Sequence, residues 1–124
     1  MGRTFEERAF IEMADRQVEL YFFMASAMAI RHLHPGLAVL KGQQFAGYGE
    51  VMKQRGRDAA AELDARLARQ PWVAGERFTI ADITLLCGLD FARGLLKFKP
   101  AELGFTHLAA WRERITERAC AAVQ

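Results

Sequence analysis

The segment Phe78-Thr79-Ile80-Ala81-Asp82-Ile83 predicts the start of a helix at Thr79. Thr79 can accept a hydrogen bond from the backbone N–H of Asp82, and the Asp82 carboxylate can accept one from the N–H of Thr79. This capping box satisfies two of the N–H groups that the first turn of a helix leaves unpaired. Phe78 precedes the cap and Ile83 is the fourth residue inside, so their side chains are expected to form a hydrophobic staple.

The helix after this cap is strongly apolar and includes Leu85, Leu86, Cys87 and Leu89. A buried helix start must satisfy its N–H groups without water, so capping before an apolar run favours a central helix. Replacing Asp82 by Ala is therefore expected to cost about 1 to 2 kcal/mol, as with other lost helix caps.

The composition is that of one globular domain, which we assign to residues 1–124. Apolar residues make up 52% and charged residues 26% of the chain, and 17 basic and 15 acidic residues are mixed along it. This balance argues against nucleic acid as a partner. The N-terminal residues have no apolar core of a signal sequence, and the apolar run Leu20–Ile30 is too short to span a bilayer. We therefore expect a cytoplasmic protein with no membrane partner.

Apolar residues recur at intervals of three or four along most of the chain, and no segment alternates at period two. The second helical pattern has its apolar stripe at Val51, Ala59, Leu63 and Leu67. We predict an all-α bundle of about five helices, including a short helix or turn near Ala101 to Leu103. The longer helices are predicted at Thr4–Leu33, Tyr48–Arg69, Thr79–Leu95 and Thr106–Ala122.

Three segments together resemble the C-terminal helical domain of cytosolic glutathione S-transferases of bacterial type. They are Arg8-Ala-Phe-Ile-Glu-Met13, Arg31-His-Leu-His-Pro35 and Pro71-Trp-Val-Ala-Gly-Glu-Arg-Phe-Thr-Ile-Ala-Asp-Ile-Thr84. The resemblance implies glutathione as cosubstrate. It also implies that the glutathione pocket and the residue that activates the thiol belong to an N-terminal thioredoxin-like domain, which this chain lacks. No catalytic residue is therefore assigned here.

The resemblance also suggests binding residues in the first long helix. In the family this helix supplies the wall of the hydrophobic electrophile site, for which Tyr21 and Phe22 are the candidates; the alternative is that both rings are ordinary core or interface residues. Glu12 stands where some members contact the amino group of glutathione. The alternative for Glu12 is an ion pair with Arg8 or Arg16, one turn away on either side.

Other polar and sulfur-containing residues favour structural roles. His32 and His34 point about 200° apart on a helix and cannot chelate one metal ion together, so no metal site is assigned. Asp90 is expected to pair with Arg93 or with an arginine of another helix. Cys87 is expected to be buried, whereas Cys120 is the more reactive thiol.

The first functional hypothesis is a helical domain that supplies an electrophile-binding wall and dimer contacts and needs a thioredoxin-like half for thiol transfer. The alternative is a non-catalytic protein–protein interaction module, of the kind fused to translation elongation factors and aminoacyl-tRNA synthetases. Storage of a small hydrophobic ligand in an apolar groove is a third reading. In each case apolar surface between Leu20 and Ile30 should be exposed, which predicts a homodimer or a thioredoxin-like partner domain.

Overall fold

The computed structural model describes residues 2–39 and 42–123, with side chains up to residue 118. Within these residues the chain is α-helical, without strands, and this confirms the predicted all-α class. A π-helical turn at Val18–Phe23 joins the first two helices into one continuous helix, as the sequence predicted. The α-helices are α1 Phe5–Gln17, α2 Met24–Leu33, α3 Ala46–Leu67, α4 Ile80–Leu96 and α5 Thr106–Val123.

The first long helix has one inner stripe of apolar residues. Its six members are all buried: Ile11, Ala14, Val18, Phe22, Ala25 and Ala29. Val18 and Phe22 belong to the π turn, whose Leu20 and Tyr21 are exposed. No described helix is long and apolar enough to cross a membrane.

The α3 helix runs antiparallel to α2 and contacts it through glycines. Ideal β carbons at Gly49 and Gly56 would lie 2.7 Å from Leu33 Cγ and 3.5 Å from Ser26 Oγ. The buried stripe contains Met52, Gly56, Ala60, Leu63 and Leu67. The prediction of Val51 as an inner residue was wrong, since its side chain is 51% exposed. Glycine contacts carry no apolar signal, so the sequence placed this end of the stripe one residue too early.

The α4 helix lies at the centre of the bundle, as the sequence predicted. Its buried face contacts α1, the π turn and α2, and consists of Ala81, Leu85, Gly88, Leu89 and Ala92. An ideal β carbon at Gly88 would lie 3.1 Å from Phe23 Cδ2 and 3.3 Å from Phe22, so glycine permits this close packing. The inner stripe of α5 consists of Leu108, Trp111 and Ile115 and is also buried.

The Asp82 carboxylate links the start of α4 to two other parts of the fold. Its Oδ2 accepts a hydrogen bond from Thr79 N at 2.9 Å. Its Oδ1 accepts from Val73 N at 3.0 Å and from Trp111 Nε1 at 2.8 Å. The side chain is 0% exposed, so these three donors replace water entirely. Asp82 is thus a junction between the 72–79 loop, α4 and α5 as well as a local cap.

The structure has both contacts of a capping box at Thr79 and Asp82. Thr79 Oγ1 also accepts from Ala81 N at 3.3 Å, and Asp82 N donates to the Thr79 carbonyl oxygen at 3.1 Å. The Phe78 ring packs edge-to-face on Trp72, with 5.5 Å between ring centroids. Ile83 is 48% exposed, so Trp72 supplies the aromatic support for Phe78.

A second aspartate caps a helix other than its own. Asp64, on α3, accepts a hydrogen bond from Leu108 N in the first turn of α5 at 2.9 Å. A carboxylate near a helix N-terminus is favourable because it satisfies an unpaired N–H and opposes the helix dipole. Asp64 and Asp82 therefore hold the same helix from two neighbours.

We predict that Asp82→Ala lowers the free energy of unfolding by about 3 to 5 kcal/mol. The substitution leaves three buried donors without an acceptor, and each costs about 1 to 3 kcal/mol before the structure relaxes. Urea unfolding at neutral pH measures the change. A loss of only about 1 to 2 kcal/mol would show that the local cap alone matters.

The matched control is Asp90→Ala, on the same helix. Asp90 is exposed and pairs with Arg112 of α5. Removal of such a surface ion pair costs about 0 to 1 kcal/mol. An equal loss of unfolding free energy in the two variants would contradict the junction role of Asp82.

Candidate functional site

A groove of about 400 Å³ lies between the π turn, α2 and α3. Its apolar lining comes from Leu20, Tyr21, Ala25, Met52 and Ala59. Charged side chains of both signs, Arg55, Asp58 and Glu62, line the same groove from α3. An apolar floor with a few charged groups suits either a small hydrophobic ligand or a protein surface.

The two aromatic candidates of the first helix lie in different environments. Tyr21 is 63% exposed and lines the groove. Phe22 is 0% exposed, and its ring packs edge-to-face against Phe98 with 5.7 Å between centroids. The alternative of an ordinary core residue therefore holds for Phe22, because successive helical positions point about 100° apart. Only Tyr21 is accessible to a ligand in this structure.

Glu12 lies on the surface and is not a lining residue of the groove. Its Oε1 accepts a hydrogen bond from Arg16 Nε at 2.8 Å, and Arg16 also contacts Glu19. The Glu12 hydrogen bond and charge, aided by Glu19, raise the pKa of the Arg16 guanidinium above its usual value. Arg8 Nε instead donates to the Gly2 carbonyl oxygen at 3.0 Å.

This arrangement gives a partial fit to glutathione. Glu12 is a carboxylate that could accept from an ammonium group, but in this chain it already neutralises Arg16. Glu12 and the Tyr21 groove are thus separate features.

The two histidines at the end of α2 accept hydrogen bonds from the following loop. His32 Nδ1 accepts from Phe45 N at 3.1 Å, and His34 Nδ1 accepts from Gly36 N at 3.1 Å. Gln44 Nε2 adds bonds to the carbonyl oxygens of Arg31 and His34, at 3.0 and 2.9 Å. Residues 2–39 and 42–123 contain no cluster of potential metal ligands. These histidines order the connection between α2 and α3.

The remaining polar and sulfur-containing candidates lie as follows. Asp90 pairs with Arg112 of α5, which is the predicted partner on another helix. Cys87 is exposed, so the prediction that it is buried was wrong. Because α4 is apolar nearly all round, its period did not reveal which face points outward. The side chain of Cys120 lies outside the described residues.

Sequence reasoning missed two sets of polar residues. One set is the groove charges Arg55, Asp58 and Glu62, which belong to no motif that marks a site. Asp15 is buried and accepts a hydrogen bond from Thr84 Oγ1 at 2.5 Å, joining α1 to α4. The position of Asp15 directly after Ala14, between residues of the inner stripe, was the sequence signal for its burial.

Comparisons with known proteins agree with this fold. Residues 32–119 match the family model described as "Glutathione S-transferase, C-terminal domain". Glutathione S-transferase 2 of Saccharomyces cerevisiae is 30% identical over 118 residues, covering 94% of this chain and 50% of that protein.

Two solved structures superpose closely. One is a glutathione S-transferase domain-containing protein of Marinobacter aquaeolei VT8, with a TM-score of 0.84 and 34% identity over 94% of this chain and 57% of that one. The other is Gtt2 of Saccharomyces cerevisiae, with a TM-score of 0.83 and 30% identity over 92% of this chain and 54% of that one.

This chain spans about half the length of these relatives. The matched residues include the capped start of α4, the Asp82 junction and most of α5. The chain therefore belongs to the glutathione S-transferase family, with the fold of its C-terminal helical domain.

Proposed function

We propose that this helical domain provides the hydrophobic electrophile wall and the dimer contacts of a glutathione transferase, and that thiol transfer needs a thioredoxin-like half. The observation that carries the proposal is that this chain of the family exposes apolar surface at two places, the groove at Tyr21 and the side chains Phe10, Met13, Ile80 and Ile83. By resemblance to the family, the residue that activates the thiol belongs to that thioredoxin-like half. A free thiol has a pKa of about 8.5, so only a few per cent is thiolate at neutral pH.

The groove has the properties expected of a contact between two copies of the chain. Leu20 and Tyr21 are large exposed apolar side chains on one wall. Arg55 on the other wall is flanked in the groove by Asp58 and Glu62, so the surface carries both members of an ion pair. In a two-fold dimer each patch meets its own copy, and mixed charge makes such a patch complementary to itself.

A second apolar surface suits the thioredoxin-like half. Phe10 and Met13 are exposed on α1, and Ile80 and Ile83 are exposed on the neighbouring α4. Because α1 and α4 are in contact, these exposed apolar side chains are candidates for a surface that a partner covers. The electrophile would then lie between the two halves, against the exposed side of the first long helix.

The catalytic part of the proposal is tested by conjugation of glutathione to a chlorodinitrobenzene-type electrophile. We expect this chain alone to leave the uncatalysed rate unchanged. Addition of a thioredoxin-like polypeptide encoded beside it should give turnover. Activity of the chain alone would refute this division of labour, whereas a stable but inactive pair would favour the interaction module instead.

The dimer contact is tested by light scattering across a dilution series. We expect a dimer for the unmodified chain and at least about tenfold weaker association for Leu20→Glu, which places a charge in the apolar groove. Phe10→Glu is the matched control because it changes an exposed apolar residue of the same helix outside the groove. A clean monomer at high concentration, without apolar dye binding, would overturn the proposed contact.

A further inference from the structure

A second, smaller cavity lies between α2, α3 and the chain that follows α4. Its volume is about 40 Å³, and it shares no lining residue with the groove. Its polar lining consists of Ser26, Lys53, Arg57 and Lys97, and Phe98 is among its apolar residues. A water needs about 10 to 15 Å³ by this measure, so the space fits about three waters or one small ion.

Ser26 supplies a hydroxyl to this cavity. The residue is 4% exposed, and its hydroxyl forms no hydrogen bond within the described residues. Among those residues the only fully buried side-chain N or O atom without a partner is Arg112 Nε, so the Ser26 hydroxyl is reached by solvent through the cavity. Water or a ligand in the cavity can therefore supply its hydrogen-bond partner.

The charge of the cavity is entirely positive. Lys53 and Arg57 are one turn apart on α3, and Lys97 follows the last residue of α4. Within the described residues none of the three forms an ion pair, and no carboxylate lines the cavity. In contrast, Lys99 nearby pairs with Glu102 at 3.3 Å. Like charges gathered around one small space favour an anion there.

The backbone places Lys97 at this cavity in an unfavourable conformation. Lys97 has φ 54° and ψ 35°, the left-handed region that helix ends usually assign to glycine. Among the described residues it is the only non-glycine residue with positive φ. A cation after a helix C-terminus also suits the helix dipole, but this does not explain the unpaired Ser26 hydroxyl or the two cations on α3.

Gly56 keeps the Ser26 hydroxyl accessible from the α3 side. A β carbon at position 56 would lie 3.5 Å from Ser26 Oγ, which is an ordinary van der Waals distance. Alanine therefore fits without strain and is the better helix former. The helix packing therefore does not require glycine at position 56. The effect of glycine there is that the Ser26 hydroxyl stays uncovered.

The geometry points to a binding site for a small tetrahedral oxyanion of the phosphate type in this cavity. One oxygen accepts from the Ser26 hydroxyl, and the others accept from the Arg57 guanidinium and from the ammonium groups of Lys53 and Lys97. Hydrogen bonds between charged donors and an oxyanion are among the strongest that proteins form. This site is independent of the groove at Tyr21 and of the proposed transferase function.

The test is titration calorimetry with inorganic phosphate at constant ionic strength, with chloride as the balancing ion. We expect saturable binding with a dissociation constant of about 1 mM or below. Arg57→Gln should weaken binding about tenfold, the effect of one lost charge-assisted bond. Arg55→Gln is the matched control because it removes the same charge from the same helix but lies in the other groove.

Two further variants separate binding from folding. Gly56→Ala should leave the thermal unfolding midpoint equal or higher, yet weaken phosphate binding several-fold by covering Ser26 Oγ. Ser26→Ala should weaken it similarly without changing the charge. Glycerol phosphate in place of phosphate distinguishes a phosphomonoester site, which binds both, from one that takes only the free ion.

Two results would overturn the proposal. One is an unmodified chain that responds to phosphate no more than to chloride at equal ionic strength. The other is an equal weakening by Arg57→Gln and Arg55→Gln, since this would show attraction to net positive charge and no defined site.

Discussion

The buried Asp82 carboxylate is the interaction on which the helical arrangement depends. It accepts from Thr79 N, Val73 N and Trp111 Nε1, which belong to the helix start, the preceding loop and the last helix. A buried carboxylate is stable only when its oxygens are satisfied, so these three donors must come together for α4 to enter the core. Asp64 strengthens the same junction by capping α5 through Leu108 N. The start of the central helix is thus held by buried hydrogen bonds as well as by the packing of its apolar face.

The close contact of α2 and α3 determines where the two cavities form. Gly49 brings the helices together at Leu33, where a larger side chain would keep them apart, and Gly56 faces Ser26 at an ordinary van der Waals distance. Beside this contact, Tyr21, Ala25 and Ala59 line the larger apolar groove. Ser26 and Gly56 line the smaller, positively charged cavity. One packing contact therefore generates two surfaces that differ in polarity, and each suits a different partner.

Helix existence was predictable because it depends on local periodicity and capping. Thr79 as the cap, and Ile11, Val18 and Phe22 as inner residues, follow from spacing alone. The failures have a common cause. Val51 lies in a helix whose inner face is built partly from glycine, and Cys87 lies in a helix whose surface is apolar nearly all round. In both helices the spacing of apolar residues could not show which way these side chains point. Phe22, a candidate for the ligand wall, is buried for the related reason that its neighbour Tyr21 takes the exposed side of the π turn.

Local residue order was enough to predict the fold class, the start of α4 and the family resemblance, because each depends on short-range patterns of side chains. Tertiary structure alone decided the partners of Asp82 other than Thr79, because Val73 and Trp111 lie 9 and 29 residues from it. The same holds for the oxyanion cavity, whose polar lining comes from Ser26, Lys53, Arg57 and Lys97 on separate elements. A buried carboxylate or an enclosed space is defined by the atoms around it, and those atoms are brought together only when the helices pack.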